Sequence, residues 1–359
     1  MTADPLKALV LAGGHGTRLR PLTYTLPKQL IPVANRPIIH YVMDHLEEVG
    51  IREVGVVIAP ETGEQIKAAL ARRPGNLRLT YLVQERPLGL AHAILIAREF
   101  LAGGPFVMYL GDNLIGEGIK SLISTLQASR ADAVLLLKEV ADPRAFGVAV
   151  LDGQGRITQL IEKPTQPPSN LALVGVYAFS PTIHDAVQQI QPSRRGELEI
   201  TDAIQYLLSH GHRVFGNRLD AFWLDCGKKD DLLEANRTVL DQWIVRDVRG
   251  HVDEASRVSG RVVLGDGARV ERSEIRGPAI IGAGTVIRKS FIGPYTSIGE
   301  RCQISHASLE HCVVLEEARI EGVERIEDSV IGPRAVLRRA PGQHQAIRFM
   351  IGEDTEVSL

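Results

Sequence analysis

Gly265, Gly282 and Gly299 stand seventeen residues apart, and aliphatic residues keep step with them at 264, 270, 275, 281, 287, 292, 298, 304 and 309. The step between aliphatic positions is five or six residues, three steps to each period. Such spacing predicts a parallel β-helix of hexapeptide type, in which each coil turns through three short strands and points one aliphatic side chain inward from each. Ile281-Gly-Ala-Gly-Thr-Val286, Ile292-Gly-Pro-Tyr-Thr-Ser297 and Ile331-Gly-Pro-Arg-Ala-Val336 carry the pattern most plainly, and about five coils are expected. A β-sandwich would instead alternate polarity over longer runs.

The region before Trp243 has a different texture. Apolar runs at 54–59, 79–83, 106–110 and 133–137 alternate with helical periodicity near 38–49 and 90–100. This alternation predicts a doubly wound, mostly parallel α/β sheet of Rossmann-like type, with ligands at the carboxyl ends of its strands. The expected division is an α/β domain over 1–243, a linker over 244–258, a left-handed β-helix over 259–342 and a tail over 343–359. With 359 residues and 44% hydrophobic content the chain can bury two cores.

The first apolar run, Leu6 to Ala12, leads into Gly13-Gly-His-Gly-Thr-Arg-Leu-Arg-Pro21 and then Pro27-Lys-Gln-Leu30. A glycine-rich turn after a buried strand lets backbone N–H groups approach phosphate oxygens, and Arg18 and Lys28 add fixed positive charge. The loop lacks the Gly-Lys-Ser/Thr ending of a Walker A loop and is no Gly-x-Gly-x-x-Gly fingerprint. Asp112, in Leu110-Gly-Asp-Asn113, and Asp225, in Phe222-Trp-Leu-Asp-Cys-Gly227, each end an apolar run. Strand-end aspartates often cap turns. Two of them can also share a Mg²⁺ ion, which takes one or two carboxylates plus phosphate oxygens and water.

A net charge of −2 leaves no basic footprint for nucleic acid or an anionic membrane. No apolar run approaches the roughly 20 residues of a membrane span, and the N-terminus carries no cleavable apolar segment, so a cytoplasmic location is expected. The three cysteines, Cys226, Cys302 and Cys312, have no C-x-x-C spacing and read as buried small hydrophobes.

Gly13, Gly14, Gly16, Thr17, Arg18, Pro21, Pro27 and Lys28 together resemble the signature of the sugar-1-phosphate nucleotidyltransferases. Within that family, Pro27-Lys-Gln-Leu30, Arg195-Gly-Glu-Leu-Glu-Ile-Thr-Asp202 and the hexapeptide region look most like the long-form glucose-1-phosphate thymidylyltransferases. The resemblance implies transfer of a nucleotidyl group from dTTP to glucose 1-phosphate, aided by Mg²⁺ on Asp112 and Asp225, with Arg18 and Lys28 as further catalytic residues. It implies nucleotide contacts from Leu11, Gly13, Gly14, Gly16, Thr17, Gln29, Gln84, Pro87 and Gly89. The sugar phosphate falls to Gly147, Glu162, Lys163, Val174, Tyr177, Arg195 and Trp223. Two positions depart from the pattern: Cys226 stands where a threonine is common, and Phe146 where a tyrosine is common. UTP-using relatives share the scaffold, and the β-helix could instead carry an acyltransferase with His306 or His311 as base. The expected role of the β-helix is assembly of a homo-oligomer through its flat sides and open ends.

Overall fold

The computed structural model describes residues 6–14, 16–339, 354 and 355. His15, the last residues assigned to the β-helix (340–342) and all of the expected tail except 354 and 355 lie outside the described residues. The chain forms two compact units: residues 1–15, 27–30 and 38–225 make one, and residues 16–26, 31–37 and 226–359 the other.

In chain order the strands up to residue 225 are β1 (Lys7–Leu11), the hairpin strands β2 (Pro32–Val33) and β3 (Arg36–Pro37), β4 (Glu53–Ile58), β5 (Arg78–Val83), β6 (Phe106–Leu110) and β7 (Asn113–Ile115). They continue as β8 (Ala133–Glu139), β9 (Gly147–Leu151), β10 (Ile157–Glu162), β11 (Leu171–Phe179), β12 (Val214–Arg218) and β13 (Trp223–Asp225). A nine-stranded sheet runs β10-β9-β11-β6-β1-β4-β5, with β8 also paired to β11 and β12 to β8. The centre β6-β1-β4-β5 is parallel. β11 runs against β6, β8 and β9, and β10 against β9, so the remaining strands share one direction, as the alternating pattern predicts. The strands are rich in Val, Leu and Ile because both faces of the sheet are buried: the successive residues Ala8, Leu9 and Val10 are fully buried, as are Phe106, Met108 and Phe179.

In the second unit, three parallel sheets of six, six and five short strands form the left-handed β-helix. Val270, Ile287, Ile304 and Ile320 stack in one register, each almost fully buried. The glycine repeat has a steric cause: a Cβ on Gly282 would come within 2.5 Å of the Gly299 carbonyl carbon. Corners repeat as well, since Arg272, Lys289 and His306 all adopt left-handed backbone at φ 48°, 47° and 50°. Ser256, Ser273 and Ser290 form a ladder in which each Oγ accepts from the backbone N–H seventeen residues on. Cys302 and Cys312 are buried thiols whose pKa burial pushes up to about 11.

The expected linker 244–258 is corrected here. Asp247–Val248, His251–Val252 and Arg257–Ser259 are the three strands of the first coil and pair in parallel with the next. The helix Lys229–Gln242, assigned from sequence to the α/β domain, belongs to the same compact unit as the coils. Its Asn236 is fully buried. The Oδ1 accepts from Ala34 N at 2.9 Å and Ser297 Oγ at 2.6 Å, and the Nδ2 donates to Tyr295 O at 3.0 Å. Asn236→Ala leaves those groups unpaired in a buried site, so urea unfolding of the full chain should show a loss of about 2–4 kcal/mol. Among the described residues no helix is long and apolar enough to cross a membrane.

Candidate active site

The carboxyl edge of the sheet gathers the sequence-predicted groups of the first unit. Gly13 follows β1, Gln84 follows β5, and Gly111 and Asp112 follow β6. Gly111 N donates to Leu11 O at 2.9 Å, and a Cβ on Gly111 would lie 2.9 Å from that same oxygen. Only glycine permits this approach. Gln29 is buried, with its carboxamide 3.6 Å from where a Cβ on Gly14 would sit, and its Oε1 has no hydrogen-bond partner among the described residues. A buried unpaired oxygen beside bare glycine backbone suits a ligand that donates a hydrogen bond.

β13 pairs antiparallel with β7, setting Asp225 opposite Asn113 and hence beside Asp112. The Lys28 ammonium bridges the two carboxylates, 2.6 Å from Asp112 Oδ2 and 3.0 Å from Asp225 Oδ1. Burial by itself would lower the Lys28 pKa, but the charges and hydrogen bonds of Asp112 and Asp225 outweigh it and raise it to about 12. A raised value keeps the ammonium protonated through the neutral range. Asn113, unassigned from sequence, sets the geometry: its Oδ1 accepts from Trp223 Nε1 at 2.5 Å and its Nδ2 donates to Asp112 Oδ1 at 3.1 Å. The Trp223 indole N–H is thereby committed to Asn113, and its ring packs on Phe146 with centroids 4.9 Å apart.

Of the residues expected from sequence to take the sugar phosphate, Lys163 and Arg195 cluster about Glu162. Glu162 ends β10, its carboxyl accepting from Thr201 Oγ1 at 3.3 Å, and burial holds its pKa above the usual range. Lys163 Nζ is 3.6 Å and Arg195 Nη2 3.5 Å from Glu162 Oε1. Arg195 is chiefly engaged by Glu199, through Nη2 at 2.8 Å and Nε at 3.1 Å. Glu199 and Thr201 lie in the Arg195–Asp202 motif, whose sequence gives no sign of their partners. A Cβ on Gly147 would fall 2.9 Å from Thr201 Cγ2, so this glycine makes room for the Glu162–Thr201 contact. Val174 and Tyr177 are buried on β11. Its ladder with β8 is interrupted between Leu173 and Tyr177, where Gly175 takes φ 82°.

The two halves are stitched at Leu198. Its N–H donates to Leu88 O at 2.8 Å and its carbonyl accepts from Ala91 N at 3.1 Å. Gly89 lies between at φ 101°, where a Cβ would meet Leu198 O at 2.4 Å. Pro87 stays exposed beside it.

Gly16, Thr17 and Arg18 belong to the second unit. Gly16 adopts left-handed backbone at φ 60° and opens the short helix Thr17–Leu19, and its carbonyl accepts from Thr23 Oγ1 at 2.8 Å. A Cβ on Gly227 would lie 2.9 Å from Arg18 Nη2. Of the two histidines considered as acyltransferase bases, His306 occupies a repeating corner, and His311 Nδ1 is paired with Asp328 Oδ1 at 2.5 Å.

The first unit thus carries Gly13 and Gly14 after β1, two carboxylates about the Lys28 ammonium, and Lys163 and Arg195 about Glu162. Residues 7–242 match the nucleotidyl transferase family. A glucose-1-phosphate thymidylyltransferase of Streptomyces antibioticus is 48% identical over 99% of both chains. One from Streptomyces griseus is 46% identical over the same shares. A crystal structure of UDP-glucose pyrophosphorylase complexed with UDP-glucose superposes with a TM-score of 0.59 at 25% identity, covering 66% of this chain and 99% of that one. The chain belongs to the nucleotidyl transferase family.

Proposed function

We propose that the chain transfers a thymidylyl group from dTTP to α-D-glucose 1-phosphate, giving dTDP-glucose and pyrophosphate. The observation that carries the chemistry is the Lys28 ammonium held between Asp112 and Asp225. The substrates come from the Streptomyces relatives, which match nearly the whole chain including the β-helix.

A phosphate oxygen of the sugar phosphate forms a bond to the α-phosphorus as the bond to the bridging oxygen of the β-phosphate breaks. The nucleophile is already an anion at neutral pH, so no general base is needed. The protein must hold two polyanions in line and offset their repulsion. Lys28 places a full positive charge at the junction. Glu162 accepts hydrogen bonds from sugar hydroxyls. Lys163 attracts the sugar phosphate; three glutamates surround Arg195, so Lys163 is the less neutralised of the two cations. Arg18 keeps its assignment to the triphosphate on the strength of the family pattern.

Asp112 and Asp225 fit Mg²⁺ as its holders. They already flank one cation, they offer hard oxygen donors, and among the described residues no third carboxylate, histidine or cysteine closes the set. Such an open set leaves positions for water and phosphate oxygens. Held by Asp112 and Asp225, Mg²⁺ would supply positive charge against the phosphates. In this reading the β-helix assembles a homo-oligomer.

The test is product analysis by ³¹P NMR with dTTP, glucose 1-phosphate and Mg²⁺. Equal amounts of dTDP-glucose and pyrophosphate are expected. Orthophosphate in place of pyrophosphate would contradict nucleotidyl transfer.

A further inference from the structure

The Gln84 carboxamide is held at one end. Its nitrogen lies 3.3 Å from Gly89 O and 2.9 Å from His92 Nδ1. A backbone carbonyl can only accept, so the atom facing Gly89 is the amide Nε2, and both of its protons are used. The His92 Nδ1 receiving the second proton must then carry a lone pair, which fixes the ring as the Nε2–H tautomer. His92 sits on the helix Leu90–Ile96, directly after the turn that Leu198 clamps. With Nε2 tied down, Oε1 is turned the other way, toward the bare backbone of Gly13, where a Cβ would lie 3.8 Å from it.

We propose that His92 is a positioning residue for base selection, fixing Gln84 so that an acceptor oxygen faces the nucleotide base. This rests on the reading of Gln84 as a base contact. An acceptor fixed there selects pyrimidines with a proton on N3, namely thymine and uracil, and rejects cytosine, whose N3 bears a lone pair. Without His92 only the long 3.3 Å bond to Gly89 O holds the carboxamide, which can then turn over and offer N–H to the base, as suits cytosine. Burial lowers the His92 pKa, in keeping with a neutral, accepting ring.

The test measures kcat/KM for dTTP and dCTP in the full-length protein and in four variants. His92→Leu and His92→Phe cannot accept, and the second keeps the ring, so whichever folds carries the test. His92→Asn can place Oδ1 where Nδ1 stood. Gln84→Ala is the control. The dTTP:dCTP ratio should fall at least about tenfold in His92→Leu or His92→Phe and in Gln84→Ala, since buried hydrogen-bond readout supplies most such discrimination. It should stay within about threefold of the parent in His92→Asn, whose acceptor restores the lock. If the ratio falls in Gln84→Ala while the His92 variants lose both nucleotides equally, the role of His92 is overturned. If Gln84→Ala also leaves the ratio unchanged, the base contact itself is wrong and the inference falls with it.

Discussion

Lys28→Ala should lower kcat by about 10²- to 10³-fold, the usual worth of one electrostatic contact made at the reacting phosphate. The fold should survive, because Asp112 and Asp225 have side chains 22% and 26% exposed and can turn to water once the ammonium is gone. Asp112→Asn keeps the shape and can still accept from Asn113, but removes the charge, and should cost kcat similarly. The two changes should not multiply, since each disables the same charge cluster. The pH dependence has a definite sign. The Lys28 pKa is raised to about 12. The ammonium and its stabilising contacts are therefore fully present below the ordinary lysine value and are lost only as pH climbs through 12. The Lys28→Ala deficit should thus be constant between about pH 6 and 9. A loss below about threefold in both variants, in steady-state kinetics with folding checked by circular dichroism, would remove Lys28 and Asp112 from the chemistry.

Gly89→Ala should be the next most damaging change. The new Cβ would meet Leu198 O at 2.4 Å and Leu198 N at 2.7 Å, and φ 101° is a conformation that alanine adopts only under strain. Backbone cannot yield as a flexible side chain does, so the Leu88–Ala91 turn must leave Leu198. Its departure carries away Gly89 O and His92, which both hold Gln84, and loosens the loop bearing Arg195 and Glu199. Strain of about 1–3 kcal/mol plus lost contacts predicts a fall in kcat/KM of about 10²-fold, with KM for the nucleotide rising. A variant with unchanged nucleotide KM would show that this turn does not shape the base site.

Much of this was legible in the sequence for stated reasons. The aliphatic positions of the β-helix were readable because a coil of fixed length forces inward residues into register, and all nine from Leu264 to Leu309 are buried. The first coil was missed because it lacks the mark: one period before Gly265 stands Val248. It has neighbours on one side only, so Val252 and Val258 stay partly exposed and its pattern is diluted. Asp112 and Asp225 could be nominated as strand-end carboxylates, but their meeting depends on a three-residue pairing of β7 with β13, which no local periodicity announces. The same limit hid the contacts of Asn113, Leu198 and His92, which come from partners distant in sequence or from a backbone turn. Arg195 shows the converse. Its motif marked it as a phosphate ligand, and only the fold reveals how much of its charge Glu199 absorbs.

Pyrophosphate release from dTTP, UTP, ATP, GTP and CTP, each with glucose 1-phosphate and Mg²⁺, tests the central claim most directly. The account predicts the highest kcat/KM with dTTP. UTP should follow within about 10- to 200-fold, since one methyl in an apolar pocket gives about 1–3 kcal/mol, and there should be no release without the sugar phosphate. Release that is indifferent to the base, or that proceeds without glucose 1-phosphate, would contradict it.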